Sequence, residues 1–207
     1  MARATRLEVP TAQGPGELVL DRPAGAPRGV LMLGHGAGGG VDAPDLVAAR
    51  DAALAAGLLV ARFTQPYRVA GRRAPAPAVQ LDAAWLEAVG VVRRRRGLRR
   101  LPLVVGGRSS GARVACRTAL GAGAVGVVAL AFPVHPPGKP ERSRLGELDG
   151  AGVPALVVQG ERDPFGCPPD ASGRRVVVVP GADHALRCAE AVVAEAVTQF
   201  LESAHLA

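Results

Sequence analysis

The sequence of 207 residues predicts an α/β fold in which a mostly parallel, doubly wound sheet forms the middle of three layers, with helices on both faces. Two short strand-like patterns open the chain, and apolar strand-like runs then alternate with helix-period patterns as far as the last helix. No linker and no internal repeat divides the sequence, and no insertion is long enough to form a large lid. We therefore expect one domain over residues 1–207.

Eight segments have the length and apolar content of strands. They are residues 7–9, 17–20, 29–33, 58–63, 101–105, 125–132, 154–159 and 175–179. The first two lie close together in the sequence and predict an antiparallel hairpin at one edge of the sheet. The other six are separated by helical or loop segments and predict the buried strands of an α/β sheet.

Four segments carry apolar residues at helical spacing. The first is predicted to begin at Asp42 as its cap, with Pro44 in its first turn, and to end at Gly57. The apolar faces of the other three are Leu81, Ala84, Trp85, Ala88, Val89 and Val92; Ala112, Ala115, Cys116, Ala119 and Leu120; and Ala189, Val192, Val193, Ala196, Val197, Phe200 and Leu201. The proline-rich residues 64–77 and 133–140 predict loops.

The overall composition indicates a compact globular protein. Hydrophobic residues make up 48% of the chain, and no apolar run reaches the roughly 18 residues that span a bilayer. The first residues do not form the apolar core of a signal peptide, so we expect a cytoplasmic protein with no membrane partner. Cys116, Cys167 and Cys188 lack the spacing of metal ligands, and we expect reduced thiols, no metal and no cofactor.

The basic residues raise the question of nucleic-acid binding. The formal net charge is +7, and Arg93–Arg100 contains six arginines. Lys139 is the only lysine among 25 basic residues, which indicates a preference for arginine throughout the chain, and an aromatic content of 3% leaves few side chains to stack on bases. We therefore expect no nucleic-acid partner, and we place the arginine run before strand 101–105, away from any substrate.

The pentapeptide Gly107-Arg108-Ser109-Ser110-Gly111 is the strongest indication of chemistry in the chain. A buried strand precedes it and a helix of small residues follows it. Strand, G-x-S-x-G and helix together are typical of a nucleophile elbow, the sharp turn that presents a serine hydroxyl above a sheet. Glycines at both ends allow the neighbouring backbones to approach closely. The pattern predicts that Ser109 is a nucleophile.

A serine nucleophile needs a base, and the base needs an acid to orient it. Asp163 follows strand 154–159, and His184 lies between the last strand and the last helix, so the order along the chain is Ser, Asp, His. Because all three residues follow the carboxyl ends of predicted strands, we expect them at one edge of the sheet. Glu161 is a weaker alternative for the acid, and Asp183 is interpreted as a turn or cap residue.

An acyl-transfer site also needs donors for the oxyanion that develops on the substrate. The N–H of Ser110, the residue after the nucleophile, is the first candidate. The second is the N–H of Ala37, in the loop His35-Gly36-Ala37-Gly38-Gly39-Gly40 that follows strand 29–33. This loop lacks the Gly-Lys-Ser/Thr ending of a phosphate-binding loop. His35 is interpreted as a brace of the loop rather than as a second base.

Several motifs together resemble one small subgroup of the α/β-hydrolase superfamily. They are His35-Gly36-Ala37-Gly38-Gly39 with Asp42 and Pro44, Arg62-Phe63, Pro66-Tyr67, Gly71-Arg72-Arg73 with Pro75, Gly106–Ser109, Phe132-Pro133, His135–Pro140 and Gln159–Gly166. The subgroup includes bacterial dienelactone-hydrolase-like proteins, a vertebrate testis-expressed protein and a subunit of a chromatin acetyltransferase complex. The resemblance implies a three-layer α/β-hydrolase fold over roughly residues 28 to 204. Dienelactone hydrolases proper use a cysteine nucleophile, whereas this chain has Ser109.

The motifs predict a serine hydrolase that cleaves a small acyl ester or thioester through an acyl-enzyme. The alternatives are a peptidase or amidase, and a non-catalytic interaction module on the same fold, as some members of the subgroup suggest. A small acyl substrate is the expected partner. Further residues expected at the rim of the substrate pocket are His35, Tyr67, Arg72, Arg73, Arg108 and His135. For Arg72 and Arg73, binding of a substrate carboxylate and bracing of loop 64–77 remain equal alternatives.

Overall fold

A computed structural model describes residues 4–204, and eight strands within them form one sheet. The strands are β1 (Thr5–Thr11), β2 (Gly14–Asp21), β3 (Gly29–Gly34), β4 (Leu58–Thr64), β5 (Leu103–Arg108), β6 (Gly126–Leu130), β7 (Ala155–Gly160) and β8 (Arg174–Val179). Their order across the sheet is β1-β2-β4-β3-β5-β6-β7-β8. β5 therefore lies near the middle, where the sheet is covered on both faces.

The sheet is parallel except at the β1–β2 edge. β1 pairs antiparallel with β2, which in turn pairs antiparallel with β4, while every pair from β4 to β8 is parallel. The predicted edge hairpin is confirmed, with Leu7 opposite Leu18. Every residue of β3, β6 and β7 is buried, as expected for strands covered on both faces.

Within the described residues, six helices connect and cover the strands. They are α1 (Pro44–Ala55), α2 (Pro66–Val69), α3 (Ala78–Arg93), α4 (Ser110–Thr118), α5 (Leu145–Asp149) and α6 (Glu190–Ser203). α3, α4 and α5 pack on one face of the sheet, and α1 and α6 pack together on the other. The predicted three-layer arrangement is confirmed, and all six apolar positions predicted for α3 are buried.

Some local expectations are wrong. Ala43, not Asp42, is the N-cap of α1, and no side chain caps this helix. Asp42 instead contacts Arg62 of β4, a partner 20 residues away that capping rules do not consider. Leu120 lies beyond the end of α4 and is 64% exposed. α2 lies within the proline-rich residues 64–77, for which the sequence predicts a loop, and α5 is too short to show a helical period.

The carboxyl ends of the parallel strands all meet at one edge of the sheet, and the loops that leave β3, β5, β7 and β8 meet there. Close backbone contact tightens this edge. A Cβ added at Gly160, the last residue of β7, would lie 2.5 Å from the carbonyl oxygen of Asp183 in the loop after β8. Glycine there allows the loops that carry Asp163 and His184 to touch. No helix among residues 4–204 is long and apolar enough to cross a membrane.

Candidate active site

Ser109 lies on a strained turn between β5 and α4. Its φ is 52° and its ψ is −109°, a region that residues other than glycine rarely occupy. A Cβ at Gly107 would lie 2.5 Å from the carbonyl oxygen of Gly34, and a Cβ at Gly111 would lie 2.4 Å from the same oxygen. Both glycines are therefore required by the close approach of β3, and the turn has the geometry predicted from the G-x-S-x-G pattern.

Ser109, His184 and Asp163 form one chain of hydrogen bonds. Nε2 of His184 lies 2.9 Å from Oγ of Ser109, and Nδ1 of His184 lies 2.7 Å from Oδ2 of Asp163. The Asp163 side chain is fully buried and that of His184 is 21% exposed. With a proton on Nδ1, the imidazole donates to the carboxylate and leaves Nε2 free to accept the serine proton. The structure thus brings together the three residues that the sequence predicts.

Asp163 is held by donors to both of its oxygens. The N–H of Phe165 donates to Oδ1 over 2.8 Å, and the amide Nε2 of Gln159 donates to Oδ2 over 2.7 Å. The same Gln159 amide donates to the carbonyl of Gly166 over 2.8 Å, which closes the turn that carries Asp163. Sequence reasoning missed the role of Gln159, although the residue directly precedes the Gly160 that ends β7.

Glu161, the weaker alternative for the acid, and its neighbour in the fold Asp183 both accept hydrogen bonds from backbone N–H groups and not from His184. Oε2 of Glu161 accepts a hydrogen bond from the N–H of Gly181, and Glu161 is exposed. Oδ1 of Asp183 accepts from the N–H of Ala185 over 2.8 Å, which is the turn role expected for it.

Phe165 packs on the His184 ring with centroids 4.2 Å apart and limits the ring's movement.

The two predicted oxyanion donors are free of protein acceptors. Neither the N–H of Ala37 nor that of Ser110 donates to another group among residues 4–204. The peptide between Gly36 and Ala37 has a fixed orientation, because Nδ1 of His35 lies 2.8 Å from the Gly36 carbonyl and the N–H of Gly39 donates to it over 3.2 Å. In a planar trans peptide the N–H of Ala37 points opposite to that carbonyl.

His35 is therefore a structural residue. It is 3% exposed, its Nδ1–H donates to the Gly36 carbonyl, and its Nε2 accepts from the N–H of Gln65 over 3.0 Å. Burial lowers the pKa of His35, and the nearby Arg68 charge acts in the same direction. The ring is thus neutral with both nitrogens engaged, and it braces the loop from below rather than lining an open pocket rim.

Tyr67 also lies under the loop and not at an open rim. It is 2% exposed, and its hydroxyl donates to the carbonyl of Ala37 over 2.7 Å. Burial raises the pKa of Tyr67 to about 12, which keeps this hydroxyl a donor. Arg68 donates to the carbonyl of Gly39 over 3.1 Å, and Arg62 donates to that of Val41 over 3.2 Å. β4 and α2 thereby hold the carbonyls of the loop away from the site.

The remaining predicted rim residues have different surroundings. Arg72 and Arg73 are exposed, and neither guanidinium forms a hydrogen bond or ion pair with residues 4–204. His135 is half-buried, and its ring Nδ1 lies 2.9 Å from the carbonyl of Pro136. The backbone N–H of His135 donates to the carbonyl of Phe165. Arg108 is occupied by two protein partners, Asp45 and the carbonyl of His184.

The spaces near Ser109 differ in size. A cavity of about 10 Å³ lies behind Ser110, bounded by His35, Tyr67 and Trp85. It has room for about one water molecule. A groove of about 480 Å³ lies beside Arg108, between the start of α1 and the loop that follows His184. Among residues 4–204, no group of three or more His, Cys, Asp or Glu side chains is arranged to hold a metal ion.

Comparison with protein families identifies the domain. The model of an alpha/beta hydrolase domain matches residues 27–204, which include β3 to β8 and every residue of the hydrogen-bonded chain. The chain belongs to this family. The α/β-hydrolase fold expected from the sequence motifs is therefore confirmed. No curated protein matches the sequence significantly.

Solved structures share the fold of this α/β hydrolase at low sequence identity. An α/β serine hydrolase homologue from Coxiella burnetii superposes with a TM-score of 0.76 at 18% identity, covering 97% of this chain and 98% of that one. A lidless serine hydrolase from Xanthomonas campestris gives 0.76 and 18%, with coverages of 97% and 94%. A dienelactone hydrolase from Anabaena variabilis gives 0.75 and 18%, with both chains 98% covered.

Proposed function

We propose that the protein is a serine hydrolase that cleaves a small acyl ester or thioester through a covalent acyl-enzyme. The observation that carries this proposal is the continuous chain from Oγ of Ser109 through His184 to Asp163, with contacts of 2.9 Å and 2.7 Å. A hydroxyl becomes an effective nucleophile when a base is within hydrogen-bond distance and an acid orients that base. The α/β-hydrolase family membership supports the hydrolase class.

In the first half of the reaction, Oγ of Ser109 attacks the substrate carbonyl carbon while Nε2 of His184 takes the serine proton. The resulting imidazolium is stabilised by the Asp163 carboxylate. The N–H groups of Ala37 and Ser110 donate to the oxyanion of the tetrahedral intermediate. The intermediate collapses when the C–O or C–S bond to the leaving group breaks, and His184 gives its proton to the leaving group.

In the second half, water attacks the acyl group on Ser109 while His184 again acts as the base. A second tetrahedral intermediate forms at the same two N–H groups and collapses to release the carboxylic acid. His184 returns the proton to Oγ of Ser109. The cycle therefore restores the enzyme without any group beyond the substrate and water.

The small size of the proposed acyl group rests on the space behind Ser110, which is too small to bury a long acyl chain. The cavity behind Ser110 has room for about one water molecule. Tyr67 of α2 and His35 of the loop after β3 line part of it, and neither segment is an extended lid that would cover a long chain. We expect acetyl and butyryl esters to be hydrolysed faster than esters of long fatty acids.

The test is a panel of p-nitrophenyl esters from acetate to laurate, with an acetyl thioester and p-nitroacetanilide as further substrates. Wild-type protein should hydrolyse the short esters, and Ser109→Ala should lose several orders of magnitude in kcat. Ser172→Ala, an exposed serine at the opposite end of the sheet, is the matched control and should retain the rate. Faster hydrolysis of laurate or of the anilide would contradict the proposed substrate class.

A further inference from the structure

Arg108 connects three elements that meet at the candidate active site. Its backbone ends β5 directly before Ser109. Its Nη2 donates to the carbonyl of His184 over 2.9 Å, and its Nε lies 2.9 Å from Oδ2 of Asp45 in the first turn of α1. The Nε–H is not aligned with that oxygen, so the contact with Asp45 is an ion pair rather than a directed hydrogen bond.

The carboxylate of Asp45 is buried and held next to Arg108. Its side chain is 1% exposed, and the N–H of Leu46 donates to Oδ1 over 2.9 Å. Burial raises the pKa of Asp45, while the charge of Arg108 opposes that effect. A carboxylate at the start of a helix is also favoured by the helix dipole. Arg108 and Asp45 therefore stabilise each other in fixed positions.

The loop that carries His184 needs such an external support. Leu186 and Cys188 have φ values of 49° and 58°, a left-handed conformation that is strained for both side chains. Packing does not fill the space between this loop and α1, because the groove of about 480 Å³ lies there. Among residues 4–204, Arg108 is the only donor to the carbonyl of His184.

We propose that Arg108, held by Asp45, is a positioning residue that fixes the main chain of His184 so that Nε2 stays on Ser109. This role rests on the proposed hydrolase function, since it acts on the same base. It replaces the expectation that Arg108 binds substrate: two of its nitrogens face protein partners. Arg108→Met should lower kcat by about tenfold to a hundredfold with little change in KM, because small displacements of a base are costly.

The experiment combines kinetics with two measurements that need no turnover. Arg108→Met, Arg108→Lys, Asp45→Asn and the Arg108→Met/Asp45→Asn double variant are compared for p-nitrophenyl acetate hydrolysis. Hydrogen exchange of the amides in residues 185–188 and the NMR signal of the His184 Nδ1 proton are recorded on the same proteins. If the wild type hydrolyses no ester, these last two measurements still test the positioning role separately from the proposed function.

Positioning predicts faster exchange in residues 185–188 and a broadened or shifted His184 signal in Arg108→Met. It also predicts partial recovery in Arg108→Lys and a double variant no slower than Arg108→Met alone. Arg113→Met is the matched control because Arg113 forms an ion pair with Glu147, away from His184; it should lower stability while kcat is kept. Unchanged exchange and an unchanged His184 signal in folded Arg108→Met or Asp45→Asn would overturn the proposal.

Discussion

At the scale of single residues, Asp163 orients His184 and also stabilises the turn on which it lies. Oδ2 of Asp163 accepts hydrogen bonds from His184 and Gln159, and Oδ1 accepts from the N–H of Phe165, so the proposed acid also closes its own turn. The side chain therefore stabilises the Asp-Pro turn and orients His184 at the same time.

Asp163→Asn tests the acid. An amide at this position presents an N–H group to donors that need an acceptor and removes the charge that stabilises the imidazolium of His184. We expect kcat for p-nitrophenyl acetate to fall by about 10³–10⁴-fold. Circular dichroism serves as the check that the variant is folded, and a folded variant with near wild-type kcat would exclude Asp163 as the acid.

Tyr67→Phe tests the support of the loop after β3, which carries the proposed oxyanion donor Ala37. The substitution keeps the buried ring and removes only the hydroxyl that donates to the carbonyl of Ala37. Losing one hydrogen bond of about 1 kcal/mol should lower kcat about fivefold. We expect KM to stay the same, since Tyr67 is buried below the loop. A rise in KM with an unchanged kcat would instead place Tyr67 in contact with substrate.

Helix α4 connects the nucleophile to the layer that covers one face of the sheet. Arg117 donates to Asp82 of α3 over 2.8 Å and to Glu147 of α5 over 3.0 Å, and Arg113 donates to Glu147 over 2.8 Å. Burial alone would raise the pKa of Glu147, but the hydrogen bonds and charges of the two arginines outweigh it and lower the pKa. Arg117 therefore joins α4 to both α3 and α5, and Glu147 binds both arginines of α4.

Glu147→Gln should therefore lower the free energy of unfolding by about 1–2 kcal/mol at pH 7. Because the pKa of Glu147 is lower in the folded protein, its contribution is present above the unfolded pKa of roughly 4.3 and is lost as the pH falls through the folded value. Urea unfolding at pH 7 and near pH 3 should show the difference between variant and wild type shrinking in acid. The exposed Glu195→Gln on α6 is the control, and a difference independent of pH would contradict this account.

At the scale of the whole molecule, the site lies at one edge of the sheet and the arginine run lies at the other. Arg93 donates to the carbonyl of Leu101 and closes the turn between α3 and β5, so this first arginine is structural. Arg94, Arg96, Arg99 and Arg100 are exposed at the amino end of β5, whereas Ser109 follows its carboxyl end.

Replacing Arg94, Arg96, Arg99 and Arg100 by serine removes four positive charges from a formal net charge of +7. We expect kcat/KM for a neutral ester to change by less than about twofold, because exposed charges further than a Debye length of about 8 Å are screened at physiological salt. Steady-state kinetics at 0.15 M salt measures this. A large loss of activity would contradict this expectation, because it would mean that charges at the amino edge of the sheet affect the reaction at Ser109.

Much of this organisation could be predicted from the sequence, because strand runs and helical spacing are local signals. They indicate the layer arrangement, the edge hairpin and the order of Ser109, Asp163 and His184. Asp42 contacts a partner 20 residues away, and Arg108 contacts partners 63 and 76 residues away, so their roles appear only in the folded chain. The partner of Gln159 is only 4 residues away, but the contact depends on the turn that follows β7. The burial of Tyr67 depends on the short α2, which has no helical period of its own.

The most direct test of the central claim is covalent labelling with a fluorophosphonate probe, followed by intact mass and peptide mapping. We predict one adduct on Ser109, retained in Ser110→Ala and lost in Ser109→Ala. The neighbouring serine is a stringent control because its hydroxyl is one residue away and only its backbone N–H has a role in the proposed site. Folded wild-type protein that forms no adduct, or labelling that persists in Ser109→Ala, would contradict the assignment of Ser109 as the nucleophile.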